Sequence, residues 1–326
     1  VSANGRHGSP VVDVVATRAR VAARLVGRQR ELELVLSAVA AGRDIVLEGP
    51  PGTSKTTMLK AITAEWGIPL LFVEGNADLT PAKIVGHHNP ARVLREDYSA
   101  DTFVDGPLVS AMRAGGFLYI EEFNRAPEDT LNTLLAAMAD RQIAVPRVGV
   151  VTAAPTFRVV ASMNPGDDVG TTRLSTSVHD RLCRLTIDYQ DEPAEQAIVR
   201  LRAGLADGVP APGATGAGLH AGPLADRLVT DAVALTRATR THEDVRQGSS
   251  VRGAIDLVLV AAPLAALREV AGPDDPRYPD VVHDALVVAL SGRIHLDEAV
   301  QTTPERVLRE IWEDHFVLRP AVAAPG

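Results

Sequence analysis

Short apolar runs recur along the first part of the chain, at Ile45-Val46-Leu47, Leu70-Leu71-Phe72-Val73, Phe117-Leu118-Tyr119-Ile120, Val159-Val160-Ala161, and from Leu182 to Ile187. Runs of this length, rich in β-branched and aromatic residues, predict strands covered on both faces. The first of them spans Asp44–Glu48. Helical spacing fills the intervals. It runs over 17–41 with a break at Val26-Gly27-Arg28. After Pro127 it returns, with Leu131, Leu134, Leu135 and Met138 at i, i+3, i+4 and i+7, which predicts a helix with one buried face. Strands alternating with helices predict an α/β fold with a mostly parallel sheet. From about residue 190 the pattern turns almost wholly helical, over 223–239, 250–270, 279–290 and 304–314. The expected organisation is a flexible arm at 1–16, an α/β domain at 17–190, and a smaller helical domain at 191–326 with a Gly/Pro/Ala-rich loop near 208–222. No internal repeat is evident.

Composition narrows the function classes. At 326 residues the chain has room for two cores, and with aromatics at 4% those cores must be built from Leu, Val and Ala. The net charge of −8 argues against a general nucleic-acid binder, which needs concentrated positive charge. Cys183 is the sole cysteine, so no intrachain disulfide forms and a reducing compartment fits; its expected role is a buried packing thiol. No run of roughly 18 apolar residues predicts a membrane span. The N-terminus does not read as a secretion signal, which leaves the cytoplasm as the expected location.

Residues 49–56 read Gly-Pro-Pro-Gly-Thr-Ser-Lys-Thr, between the first strand and a helix with Thr57 at its start. This is the pattern of a phosphate-binding loop. Gly49 and Gly52 let the backbone curl so that successive N–H groups point at a polyphosphate, with Pro50, Pro51, Thr53 and Ser54 completing the loop. Lys55 supplies a point charge for the outer phosphates, and the Thr56 hydroxyl is the expected Mg²⁺ ligand. The helix that follows adds its positive dipole end. Ser54 stands where the pattern expects glycine, and the loop alone also reads as a Gly/Pro turn before an ordinary helix.

Two adjacent acids, Glu121 and Glu122, end the run that begins at Phe117. At a strand end the first can hold the metal while the second polarises a water for attack on a γ-phosphate. Alone, the pair also reads as an acidic strand-to-loop junction. The run Phe157–Ala161 leads to Ser162-Met163-Asn164-Pro165, where Asn164 either orients the attacking water or simply forms a turn before proline.

With these residues in order, the chain resembles the AAA+ ATPases, and within them the MoxR family. The marks are Val26-Gly27-Arg28, the phosphate loop with a small residue before Lys55, Gly106-Pro107-Leu108, Glu121-Glu122-Phe123-Asn124-Arg125-Ala126-Pro127, Met163-Asn164-Pro165, Asp180-Arg181-Leu182 and Gly248-Ser249-Ser250-Val251-Arg252. The resemblance implies a five-stranded parallel P-loop core flanked by helices, followed by a smaller helical lid. It implies ATP and Mg²⁺ as ligands, with Thr56 and Glu121 holding the metal, Glu122 as catalytic base and Asn164 as sensor 1. It implies Arg181 as the finger that reaches a neighbouring subunit's nucleotide, with Arg173 as competitor, and Arg252 as the lid sensor. Arg181 could instead pair with Asp180 or lie on the surface. A ring of identical subunits, a hexamer, follows from the resemblance, as do a partner with a von Willebrand factor A domain and a client protein to be remodelled or matured.

The chain departs from the family pattern in places. Glu121 replaces the expected Asp and moves the carboxylate out by one methylene. Val251 stands where Pro is common, and Leu182-Cys183 replaces the usual Phe. His87 and His88 fall in a segment expected to be an exposed loop. Two rival functions stand beside the motor: an ATP-binding scaffold with little hydrolysis, and a DNA-acting AAA+ protein.

Overall fold

The computed structural model describes residues 13–96, 98–164, 176–205 and 221–318. Most of the expected arm at 1–16 and nearly all of the loop at 208–222 lie outside these residues. The chain divides into two compact units, Val1–Asp188 and Tyr189–Gly326.

The helices of the first unit are α1 (Val14–Ala22), α2 (Gln29–Ala40), α3 (Lys55–Trp66), α4 (Pro81–Val85), α5 (Pro90–Glu96), α6 (Pro107–Ala114), α7 (Glu128–Asp140) and α8 (Thr176–Arg181). Its strands are β1 (Asp44–Glu48), β2 (Leu70–Glu74), β3 (Gly86–His88), β4 (Phe103–Asp105), β5 (Phe117–Glu121), β6 (Gln142–Val145), β7 (Gly149–Thr152), β8 (Arg158–Met163) and β9 (Leu182–Thr186). The five apolar runs of the sequence form one sheet in the order β2-β5-β8-β1-β9, with every neighbouring pair parallel.

The alternation of a strand accounts for the two layers. Ile45, Leu47, Phe117, Tyr119 and Val160 face one side, against Leu36, Met58, Leu59 and Ile62 of α2 and α3. Val46, Leu118, Ile120, Val159 and Ala161 face the other, against Leu108 and Met112 of α6 and Leu131, Leu134 and Met138 of α7. Full burial of each such large apolar side chain contributes about 1.5–3 kcal/mol.

Several expectations are corrected here. Residues 14–16, expected in the arm, lie in α1, which starts where the Asp13 side chain accepts the Ala16 N–H at 2.9 Å. Cys183 is exposed. It lies on β9, which among the described residues has only β1 as a neighbour, and a side chain on such an edge strand is left partly uncovered. The segment with His87 and His88 is a strand, β3, paired antiparallel with β4. His87 is exposed there, whereas His88 is half-buried, with Nδ1 3.0 Å from Thr102 Oγ1 and Nε2 3.3 Å from Pro146 O. A second antiparallel pair, β6 with β7, was not anticipated.

The second unit holds α9 (Glu192–Arg202), α10 (Pro223–Ala238), α11 (Val251–Leu267), α12 (Tyr278–Leu290) and α13 (Pro304–Glu313). One short antiparallel pair, β10 (Val245–Gln247) with β11 (His295–Leu296), interrupts the helical pattern. Leu228, Val229, Leu257, Val282, Leu286 and Leu308 are among its core residues. That core also encloses the carboxylate of Asp231, which Arg227 Nε, Tyr278 OH and His315 Nε2 approach at 2.8, 2.9 and 2.9 Å. Three partners offset the cost of burying a charge.

Candidate nucleotide-binding site

The carboxyl ends of β5, β8 and β1 lie side by side, and each brings residues singled out in the sequence: Glu121 closes β5, Asn164 follows β8, and the loop at 49–56 follows β1. In an open parallel sheet this is the edge at which ligands bind.

Backbone demands shape the loop. Gly49 has φ 150° and donates its N–H to Met163 O at 3.1 Å; a Cβ there would stand 1.9 Å from Ile187 O. Ser54 has φ 68° and ψ 15°, in the left-handed region immediately before α3. That conformation explains why glycine is the usual residue, and a side chain in it costs about 1 kcal/mol. Thr53 is buried and donates to Pro50 O at 3.0 Å, while Pro51 and Thr57 are exposed. Lys55 points into the curl. Its Nζ lies 2.8 Å from Gly49 O, 2.8 Å from Pro50 O and 3.3 Å from Thr53 Oγ1, so three donors meet three loop oxygens.

Thr56 and Glu121 meet as the sequence implied, with Oγ1 and Oε1 3.4 Å apart. A third member of this group is Tyr119, which the sequence marks only as part of an apolar strand. Its hydroxyl lies 3.3 Å from Thr56 Oγ1, 3.3 Å from Glu121 Oε1 and 3.0 Å from Ser162 Oγ. Burial pushes this phenol above its ordinary value, and the neighbouring Glu121 charge adds to the effect, so the hydroxyl keeps its proton.

After Glu121 the chain reverses. Glu122 takes φ 52° and ψ 44°, and the turn Phe123–Arg125 follows, anchored by the buried Phe123 ring. Gly75 makes room for the reversal: its N–H donates to Glu121 O at 2.7 Å, and a Cβ would stand 2.3 Å from Glu122 O. The Glu122 carboxylate lies 3.3 Å from Arg125 Nη1, an exposed pair that holds it loosely. Left-handed Ser54 and Glu122 put backbone strain at both sides of the site.

Another acid was also missed. Glu48 closes β1 at 2% exposure and pairs with Arg184 of β9 at 2.5 Å, directly below the loop. A charge ending a fully apolar run was the available signal.

The arginines are placed differently. Arg181 is exposed at the end of α8 and donates to Ser177 O at 3.0 Å. Arg173 lies outside the described residues. Arg252 belongs to the second unit, exposed in the first turn of α11. Its helix start is firmly set: Ser250 Oγ accepts the Arg252 N–H at 3.4 Å, Ser249 N–H donates to Thr239 Oγ1 at 2.9 Å, and Arg240 donates to Ser249 O at 2.8 Å while lying 3.9 Å above the Tyr189 ring.

Thr56 and Glu121 form a hard oxygen pair suited to Mg²⁺, a cation that takes few protein ligands and completes its shell with water and phosphate. Among the described residues no group of three or more His, Cys, Asp and Glu gathers as a protein-only metal cage.

Residues 44–182 match the AAA domain of the dynein-related subfamily. The chain is 28% identical over 264 residues to the gas vesicle ATPase GvpN of Ancylobacter aquaticus, covering 76% of this chain and 67% of that protein. It is 32% identical over 168 residues to an uncharacterized protein of Staphylococcus haemolyticus, covering 51% of this chain and 63% of that one. Among solved structures, the RuvB Holliday junction branch migration motor of Thermotoga maritima is similar with a TM-score of 0.50 at 17% identity, over 83% of this chain and 72% of that chain, a likeness of fold alone. The domain match opens on the first residue of β1 and closes on the first residue of β9, so it covers the other four strands of the sheet and the site at their edge. Residues 44–182 are thus similar to an AAA ATPase domain, the family whose motifs the sequence resembles.

Proposed function

We propose that this protein is a Mg²⁺-dependent ATPase that works as a ring of identical subunits, a hexamer, and uses hydrolysis to remodel, mature or activate a client protein or complex. The observation that supports the reading most directly is the 3.4 Å approach of Thr56 to Glu121, with Lys55 alongside in the phosphate loop. When bound, Mg²⁺ supplies charge neutralisation at the β- and γ-phosphates.

The chain's own residues perform the remaining tasks. The loop N–H groups and the start of α3 hold the phosphates, and Lys55 exchanges loop oxygens for phosphate oxygens. Thr56 and Glu121 hold the metal. Asn164 orients the attacking water and Glu122 takes its proton. Arg181, at the exposed end of α8, stabilises charge on the nucleotide of a neighbouring subunit, and Arg252, as the lid sensor, stabilises charge on the nucleotide of its own chain. A partner with a von Willebrand factor A domain belongs to the same reading through the family resemblance. So does cytoplasmic residence, which the single cysteine favours. The likeness to a gas vesicle ATPase favours a macromolecular assembly as the client.

ATP turnover by the wild type, Lys55→Ala and Glu122→Gln tests the chemistry. The wild type should turn over ATP about a hundredfold faster than Glu122→Gln. Equal rates would sink the motor and leave a nucleotide-binding scaffold, the second reading, which the replacement of Asp by Glu121 favours. Light scattering with ATP and Mg²⁺ present tests the ring, and a monomer under those conditions removes it. Capture with Glu122→Gln identifies the client.

A further inference from the structure

An aspartate at the end of β5 would hold its carboxylate close to the backbone. Glutamate adds a methylene and a rotatable bond, and confining it to one position costs conformational entropy. In this chain the longer acid ends beside a phenol. Tyr119 lies two residues before Glu121, on the same face of the strand. Its side chain is fully buried, with Ser162 of β8 at 3.0 Å from the hydroxyl and Phe72 of β2 meeting the ring edge-on at 5.7 Å. Both neighbouring strands therefore fix the ring, and the hydroxyl position follows from it.

The protons can be counted. A carboxylate only accepts, and each hydroxyl has one proton to donate. If Ser162 donates to Tyr119, Tyr119 to Glu121 and Thr56 to Glu121, every proton has one acceptor and the Thr56 lone pairs face a cation. The Tyr119–Ser162 contact of 3.0 Å is the short one; those to Glu121 and Thr56, at 3.3 Å, are long for O–H···O bonds. Ser162 thus anchors Tyr119, and Tyr119 limits where the Glu121 carboxylate can go.

We propose that Tyr119 is a positioning residue for metal binding: anchored on Ser162, its hydroxyl holds the Glu121 carboxylate beside Thr56, so that a glutamate serves where a shorter acid needs no such brace. The proposal rests on the reading of Thr56 and Glu121 as the residues that hold Mg²⁺.

The test is a Mg²⁺ titration of fluorescent ATP-analogue binding to the full chain, with a parallel nucleotide titration in EDTA. Tyr119→Phe keeps the ring and removes only the hydroxyl. It should raise the Mg²⁺ midpoint about tenfold, with the EDTA affinity held within about twofold. Adding Glu121→Asp to Tyr119→Phe should recover most of the loss, and Ser162→Ala should shift the midpoint the same way by less. An unchanged midpoint in Tyr119→Phe overturns the brace. An equal loss with and without metal overturns it as well, because the hydroxyl then serves the fold. A wild type whose nucleotide binding ignores Mg²⁺ overturns the metal reading itself, an outcome visible before any substitution is made.

Discussion

The two ends of the parallel sheet are built on opposite terms. At the amino end, Asp44 is 4% exposed and tied on every side: Arg141 Nη2 at 2.8 Å, the Val159 N–H at 2.7 Å. Arg141 also reaches Gly42 O and Phe157 O at 3.2 Å, and Arg158 donates to Val39 O at 3.1 Å. At the carboxyl end, the groups proposed for chemistry meet at 3.3–3.4 Å, Lys55 is held by loop carbonyls, and Ser54 and Glu122 are left-handed. The same strands run through both ends. The buried Asp44 and its partners fasten the sheet at the amino end, while Lys55 and the Thr56–Glu121 pair at the other end can exchange partners.

Substitutions at the two ends should therefore separate binding from stability. Lys55→Ala should weaken ATP binding about a hundredfold, through loss of charge-assisted hydrogen bonds, with little change in unfolding free energy. Asp44→Ala should do the reverse. It leaves Arg141 without its carboxylate and should cost about 2 kcal/mol in chemical denaturation, discounted because Arg141 is one-third exposed, with ATP affinity preserved. If either variant loses both properties, the division between the ends is wrong. A smaller effect sharpens it: Ser54→Gly relieves a left-handed side chain and should stabilise the protein by about 1 kcal/mol in the same assay.

The smallest effect is in pH. Burial pushes the Asp44 carboxyl above its ordinary value, against the pull of the Val159 N–H and Arg141. With a folded pKa above the unfolded one, the native state binds the proton more readily. The group's contribution is then full below the unfolded value and is lost as pH rises through the folded value. Wild type should lose stability relative to Asp44→Asn as pH climbs out of the carboxylate range. Parallel pH curves for the two proteins would contradict this.

The inner strands β1, β5 and β8 were legible because burial on both faces leaves continuous apolar runs, and the loop because its chemistry is local to eight residues. The meeting of Thr56 with Glu121 followed from the motif pair. What stayed hidden depends on register between strands distant in sequence. The partner of Tyr119 is Ser162 only because β5 and β8 are neighbours with Ile120 opposite Ala161. The need for glycine at 75 arises from the close passage of the Glu122 carbonyl, which nothing near Gly75 in the chain announces. The β6–β7 turn carries its first positive φ on Arg147, at 65°, rather than on Asn or Gly, so the usual hairpin signal was missing. Cys183 was misplaced for a related reason: its apolar run looked interior, while its strand lies at the edge.

That edge position makes the molecule easy to watch. The sole thiol of the sequence stands in the open on the strand that pairs with β1, two residues beyond Arg181 and beside the Arg184 that grips Glu48. A maleimide dye would attach there once per chain with no prior mutagenesis. Mixing donor- and acceptor-labelled copies would turn subunit association into a fluorescence signal, followed as nucleotide is added and consumed.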